Sequence, residues 1–417
     1  MSIDQLKQYF EAEADEVNRI YFEALLKQFQ RQSEAQSEIS IFHPKNNPNS
    51  KVFPYAILAE KELMPVKQCA DLSEEKELSS ELVLIKMHAG IGSSVERAEH
   101  LEKHTGRKKL GAKGTDLFVK GKSLAELQIE QVKILNQNPK LKKVTLQNLV
   151  NRQTKEVVEK LNLGLDFIRP SIIQYKMPTI DETGKTSFER LAPGGHGFLG
   201  FQILMKLFQE PIIEPEIIAI GNGEDLNSTP DLKMLSWMEE TKTPICMITT
   251  NKTAMDKKGG QLAVVKDATP YLTIIEKAQA ERAGQLDYFA EIGLRDEDDF
   301  SLFNTNIVLL NTKVLSDLIS RLDCSLEEFG MIIAPDLIKN EKIQDGKKFI
   351  QLEGAIASVM LNLDKYFREK LNQPLIRLLN LDSKERESFF IPIKKMEDFE
   401  YILERYTYSK VTGRFEL

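Results

Sequence analysis

ELVLIKMHAGIGSS, running from Glu81 to Ser94, is the stretch on which the fold class turns. Leu82, Val83, Leu84 and Ile85 follow one another without polar alternation, the pattern of a strand covered on both faces in a parallel sheet. Ala89 to Ser94 then brings in glycine, as expected of a loop leaving the end of that strand. In doubly wound sheets such loops hold the ligand sites.

Working outward, the same alternation recurs. Ser123 to Asn136, Thr154 to Leu163, Phe198 to Phe208, Asp231 to Thr241, Lys313 to Leu322 and Leu352 to Leu371 have helical spacing. Between them, Val144 to Leu149, Phe167 to Gln174, Ile217 to Ile220, Ile245 to Thr250, Ile307 to Leu310 and Phe389 to Ile393 are strand-like. Strands and helices taking turns over several hundred residues predict an α/β fold: a mostly parallel, doubly wound, Rossmann-like mixed sheet with helices on both faces. Leu6, Phe10, Val17, Tyr21 and Leu25 give residues 2 to about 37 one apolar helical face. His43 to Asn49 is turn chemistry that cannot continue a helix. Residues 1–50 are therefore expected to be an N-terminal helical preface and linker, and 51–417 the main α/β domain.

Composition narrows the function. Lys plus Arg number 56 against 63 Asp plus Glu, a net charge of −7, with the signs interspersed. A nucleic-acid binder needs a concentrated positive footprint, so that class is excluded, whereas a few lysines in a cleft suffice for a phosphate-bearing small molecule. Cys69, Cys246 and Cys324 show no CxxC spacing and are expected to be reduced thiols of a cytoplasmic protein. No apolar run approaches the roughly 20 residues that span a bilayer, and acids at Asp4 and Glu11 do not fit a signal peptide. No membrane partner is expected.

Two glycine clusters carry the candidate chemistry. AGIGSS can bring backbone N–H groups against a phosphate or a base edge, or can simply be a tight turn. It is not a P-loop, and Val95 stands where a dinucleotide fingerprint needs its third glycine. PGGHG at Pro193 to Gly197 surrounds His196 with three glycines, which suits an exposed imidazole bonding to a ligand better than packing does. Glu96, His100 and His104 recur every four residues and would share a helix face. Without a fourth ligand in view, a solvated polar face is favoured over a metal site. Trp237 is expected to be a core or groove residue, and the cluster Arg295 to Asp299 a solvated turn.

AGIGSS, PGGHG, NGEDLNSTPD at Asn222 to Asp231, KTAMDKKGGQL at Lys252 to Leu262, FNTN at Phe303 to Asn306, IQLEGA at Ile350 to Ala355 and FFIPIK at Phe389 to Lys394 occur in one order in one chain. In this the sequence resembles the eukaryotic-type UTP:glucose-1-phosphate uridylyltransferase (UDP-glucose pyrophosphorylase) family, collinearly from about Leu82 to Tyr406. The resemblance implies a nucleotidyltransferase domain that joins UTP and a sugar-1-phosphate, glucose-1-phosphate foremost, into a UDP-sugar and pyrophosphate. Mg²⁺ and lysines would neutralise charge on the phosphoryl oxygens. By matching positions it places Ala89, Gly90 and Gly92 against the uracil and ribose and has Gln174 read the uracil edge. Gly195 and His196 would close over the base and ribose, Lys394 would contact the phosphates, and Asn304, Asn306 and Glu276 would hold the sugar.

The chain also departs from the family pattern. Glu224, with Asp225 beside it, stands for the metal-binding aspartate, and Ala89 replaces the first loop glycine. Residues 96–112 form an insertion where the family has a Gly-Pro-Lys segment whose lysine touches the phosphates. Aligned directly, Asp116 takes that lysine's place and would repel a triphosphate, unless Lys113 or Lys109 supplies the cation. The family's C-terminal β-helix, which serves oligomerisation, has no counterpart before Leu417, so a monomer is expected. Two rivals to an active uridylyltransferase stay open: a non-catalytic nucleotide-sugar-binding or regulatory descendant, and a transferase with a changed substrate.

Overall fold

The computed structural model describes residues 16–34, 52–54, 66–73, 75–90, 95–162, 164–210, 212, 214–251, 259–265, 268–276, 281, 286–287, 302–344 and 346–417. In chain order, the strands that organise it are β1 (Val52–Pro54), β2 (Lys67–Gln68), β3 (Glu81–Met87), β4 (Val144–Val150), β5 (Ile172–Ile173), β6 (Lys176–Asp181), β7 (Thr186–Pro193), β8 (Glu216–Asn222), β9 (Ile245–Asn251), β10 (Gly260–Val265), β11 (Tyr271–Glu276), β12 (Leu302–Asn311), β13 (Ile338–Gln344), β14 (Lys347–Glu353) and β15 (Ile376–Leu381). The main sheet runs β2-β15-β9-β12-β8-β3-β4-β5, with β10 joined to β1, β11 and β12. Strand β12 lies antiparallel between β9 and β8, while the others on that path are parallel to their neighbours.

The central strands carry apolar runs because both faces are covered. Val83 and Ile85 join one core with Ile218, Ile220, Met247, Val308 and Leu310, whereas Leu82 and Leu84 join the opposite one with Ile217, Ala219, Ile248 and Leu309. Helices α1 (Glu16–Glu34), α5 (Gly197–Gln209), α7 (Thr312–Ile319), α8 (Leu326–Ile332) and α9 (Ile356–Leu371) contribute to the first. Helices α3 (Leu124–Leu135) and α6 (Leu232–Glu240) cover the second. The other helices longer than one turn among the described residues are α2 (Ala98–Thr105), α4 (Lys155–Leu161), α10 (Ser383–Phe389) and α11 (Met396–Arg405).

Some sequence expectations need correction. Phe389 to Ile393 is not a strand: α10, capped by Asp382, ends at Phe389, and Phe389, Phe390 and Ile393 are buried as core plugs. The strand at that point is β15, just upstream, which the sequence patterning left unmarked. Phe167 to Gln174 shrinks to the two residues of β5, because Pro170 interrupts the ladder. A second, antiparallel sheet, β13-β14-β6-β7, was also unforeseen. Its strands β13 and β14 are largely exposed or half-exposed and lysine-rich, so no apolar run announced them.

Helix α1 is part of the main core. Ile20, Tyr21, Phe22 and Leu25 are fully buried, and Tyr21 stands edge-on to Phe198 at 5.6 Å and Phe201 at 5.1 Å. Its hydroxyl donates to the carbonyl of Gly194 at 2.7 Å, inside the PGGHG loop. Leu6, Phe10 and the 43–49 turn lie outside the described residues. Tyr21→Phe is expected to lower stability by about 1 kcal/mol, because the Gly194 carbonyl keeps its second donor, the Gly354 amide. Urea unfolding at unchanged slope would register it as a lower midpoint, and an unshifted midpoint would remove this bond from the account.

Candidate functional site

Among the candidate residues, Gly90, Gln174, Glu224 and Asp225 follow the ends of the parallel strands β3, β5 and β8, at the rim of the sheet. As β3 leaves the sheet, the Ala89 carbonyl accepts from the Asn151 side-chain amide at the end of β4. Asn151 is itself held by its own turn, accepting from the backbone amides of Gln153 at 2.7 Å and Thr154 at 2.9 Å. The Ala89 methyl is buried in the core, so the alanine that replaces the first loop glycine does not project from the rim. Gly90 is exposed, with nothing within 4 Å of where a Cβ would stand. Gly92 lies outside the described residues.

Gln174 follows β5. Its backbone amide bonds to the Val150 carbonyl at 2.7 Å, and its side-chain amide donates to the Gly195 carbonyl at 2.6 Å. Gly195 has φ +80°, and a Cβ there would meet the Gly354 carbonyl oxygen at 2.5 Å, so only glycine fits. His196 is half-buried, not exposed as the bare glycine context suggested. Its Nδ1 accepts from the Ile356 amide at 3.1 Å, which places the proton on Nε2 and fixes the ring. Burial pushes its pKa down to about 4, so the imidazole is neutral at pH 7.

On the other side of β3, Lys113 sits in a single helical turn, Lys113–Asp116. Its ammonium pairs with the Glu224 carboxylate and donates to the Ile393 carbonyl at 3.0 Å, one residue before Lys394. Two glycines permit this approach. A Cβ on Gly114 would lie 2.3 Å from the Gly223 carbonyl oxygen and 2.5 Å from His88 Cε1, and one on Gly223 would lie 2.5 Å from the Met87 carbonyl oxygen. His88, buried between them, bonds through Nε2 to Gln128 Oε1 at 3.2 Å. Asp116 is turned inward, away from the surface. It is fully buried and paired with Arg97, so the expected repulsion does not arise and Lys113 is the residue of this segment that reaches the rim.

Glu224 and Asp225 differ although adjacent. The Glu224 side chain, 10% exposed, meets Lys113. Asp225 is buried, and its Oδ1 accepts from the amides of Asn227 at 3.0 Å and Ser228 at 3.2 Å, while Oδ2 has no hydrogen-bond partner. Beneath it Lys86, also buried, donates to the Asp225 carbonyl at 2.7 Å and Ser228 Oγ at 3.1 Å. Burial pushes the Asp225 carboxyl up and the Lys86 ammonium down, each resisted by the attraction of the other.

Asn304 and Asn306 lie near the start of β12, which its antiparallel course brings to this same rim. Asn304 Nδ2 donates to Asn306 Oδ1 at 2.9 Å, and Asn306 has φ +61°. The Lys394 ammonium stands 5.6 Å from the ring centroid of the neighbouring Phe303, and its backbone amide donates to Asp398 at 2.8 Å. Glu276 ends β11 opposite Gly260, and its side chain is outside what the structure describes. Glu96 precedes α2 and does not share the face of His100 and His104. Those two rings pack on each other, His100 accepts from the Phe118 amide at 3.0 Å, and no group of three or more metal-ligating side chains occurs among the described residues. Lys86, His88, Arg97 and Gly114 were not singled out from sequence. A lysine and a histidine closing an apolar strand run were the available signal, since such groups must find partners when buried.

Comparison with known proteins decides the family. A family model described as UTP--glucose-1-phosphate uridylyltransferase matches residues 20–415. The chain belongs to that family. Among uridylyltransferase relatives, the UTP--glucose-1-phosphate uridylyltransferase of Encephalitozoon cuniculi is 25% identical over 400 residues, covering 93% of this chain and 69% of the relative. Uridylyltransferase 2 of Dictyostelium discoideum is 24% identical over 351 residues, covering 81% and 61%. The chain thus spans about two thirds of the length of these relatives. A UDP-glucose pyrophosphorylase variant from Leishmania major, solved with UDP-glucose, superposes with a TM-score of 0.70 at 20% identity over 99% of this chain and 80% of that one, which establishes the shared fold. Among the described residues, no helix is long and apolar enough to cross a membrane.

Proposed function

We propose that this uridylyltransferase-family chain joins UTP to a sugar-1-phosphate, glucose-1-phosphate being the first candidate. A phosphate oxygen of the sugar attacks the α-phosphorus in line, the bond from that phosphorus to the bridging oxygen breaks, and pyrophosphate leaves. The single observation that carries this is the Lys113 ammonium set between the Glu224 carboxylate and the Ile393 carbonyl, one residue from Lys394. That bond ties the Lys113 side chain to the backbone just before Lys394, and two lysines carried by neighbouring backbone suit a triphosphate whose charge needs neutralising.

Around that centre, Gly90 leaves open backbone for the base and ribose. Gln174, whose amide nitrogen is held by Gly195, keeps Oε1 to accept from an N–H of the base. His196 offers Nε2–H, and Asn304 and Asn306 offer the paired amides suited to sugar hydroxyls. A divalent cation, Mg²⁺ by preference, fits the donor set. Glu224 and the unbonded Oδ2 of Asp225 are hard oxygen donors, and such ions complete their shells with phosphate and water. When bound, it would supply further neutralisation of phosphoryl charge. All these groups come from one chain, so a monomer suffices, and three free thiols suit the cytosol.

The test is to incubate pure protein with UTP, Mg²⁺ and glucose-1-phosphate and follow pyrophosphate, with Lys394→Ala as the control. Turnover in the parent and its loss in the control are expected. Binding of UDP-glucose without turnover over a panel of sugar phosphates and nucleotides would make the chain a binding protein instead.

A further inference from the structure

The segment 96–112 is fastened to the Lys113 turn by a buried ion pair. The Arg97 guanidinium, fully buried, reaches Asp116 Oδ2 through Nε at 3.1 Å and Nη2 at 3.0 Å. The same guanidinium donates to the carbonyls of Val95 at 3.2 Å and Gly111 at 2.9 Å, so it grips both ends of the segment at once. Asp116 Oδ2 also accepts from the Gly111 amide at 2.7 Å, and Arg107 reaches Oδ1 at 3.5 Å and the Thr115 carbonyl at 3.2 Å. Asp116 lies in the one-turn helix that begins at Lys113, with the Leu117 amide closing onto the Lys113 carbonyl at 3.0 Å.

A buried ion pair is a poor source of net stability, because desolvating both charges offsets their attraction, and apolar replacements of similar volume are often tolerated. What it does enforce is one geometry. Here that geometry sets the backbone from which Lys113 reaches Glu224 and Ile393. We propose that Arg97 and Asp116 are positioning residues for Lys113, and that residues 96–112 form a brace holding this lysine at the rim. The catalytic consequence rests on the function proposed above, but the placement of the lysine does not.

The paired replacement Arg97→Met with Asp116→Leu removes both charges and keeps the bulk, and Asp116→Asn is the milder alternative should the pair fail to fold. The first readout needs no activity: the rate at which an amine-reactive reagent labels Lys113, measured by mass spectrometry against exposed Lys206 in the folded protein. Release from the brace is expected to raise it on the order of fivefold or more, since the ammonium loses its fixed partners. The second is a cycle on kcat. The charge-removing variant should lose on the order of tenfold with Lys113 present, as a misplaced group does. It should change kcat by less than about twofold in a Lys113→Ala background, because the two then act as one unit. Unchanged Lys113 labelling in both variants overturns the proposal, and so does an equal loss of kcat in both backgrounds. Absence of turnover in the parent protein would count against the function and leave the labelling result to judge the brace.

Discussion

Lys113→Ala is expected to lower turnover of UTP with glucose-1-phosphate by about 100- to 1,000-fold, the range seen when one preorganised charge-stabilising group is removed. The lysine is 20% exposed, and its carboxylate partner Glu224 is 10% exposed, so water neither screens the pair well nor fills the vacated place with an equivalent charge. The change removes the cation and leaves Glu224 to repel the triphosphate, so kcat should fall further than KM rises. Lys206→Ala serves as the comparison, because that side chain is 69% exposed, lies outside both the brace and the rim, and should leave turnover unchanged. Pyrophosphate release under saturating substrates measures both. A Lys113→Ala protein working within twofold of its parent would move the phosphate-side role to Lys394 alone.

The second large effect is on stability. Burial is the main cause holding the His88 pKa down at about 4, assisted by the nearby Lys86 charge and opposed by the Gln128 bond. In the unfolded chain a histidine titrates near 6.5. The folded state therefore binds this proton less readily than the unfolded state. Its contribution is fully present above about pH 6.5 and is lost as the pH falls toward 4. At pH 5 the loss is about 2 kcal/mol from His88 alone. His196 acts in the same direction. Urea titrations of the parent and of His88→Gln at pH 7.5, 6 and 5 isolate the residue, since carboxylate effects are common to both. The gap between the two should narrow or reverse as the pH drops, and two parallel curves would show that His88 is not held neutral.

The fold was legible from β3, β8, β9 and β12, where covering both faces forces unbroken apolar runs. It was illegible in the second sheet, where half-exposed strands such as β13 carry lysine and glutamate, and in β15, where Arg377 and Asn380 break the apolar run. In the candidate site, the glycine clusters and FNTN stood out in the sequence because their local chemistry is unusual. Asp116 misled, since sequence alignment places a residue along the chain and says nothing of which way it faces. Arg97, nineteen positions upstream, turns that carboxylate inward, and no local pattern around either residue reveals the pairing. His88 and Gly114 were missed for the same reason: their partner, Gly223, stands more than a hundred positions away.

The reversed course of β12 gives the two ends of the rim unequal freedom to change. Asn304 belongs to a strand wedged at the middle of the sheet, so altering it disturbs packing on both sides. Gly90, by contrast, opens onto solvent, with nothing within 4 Å of where a side chain would begin. Descendants of this chain should accordingly drift first in what they accept at the glycine end, while the asparagine end stays as it is.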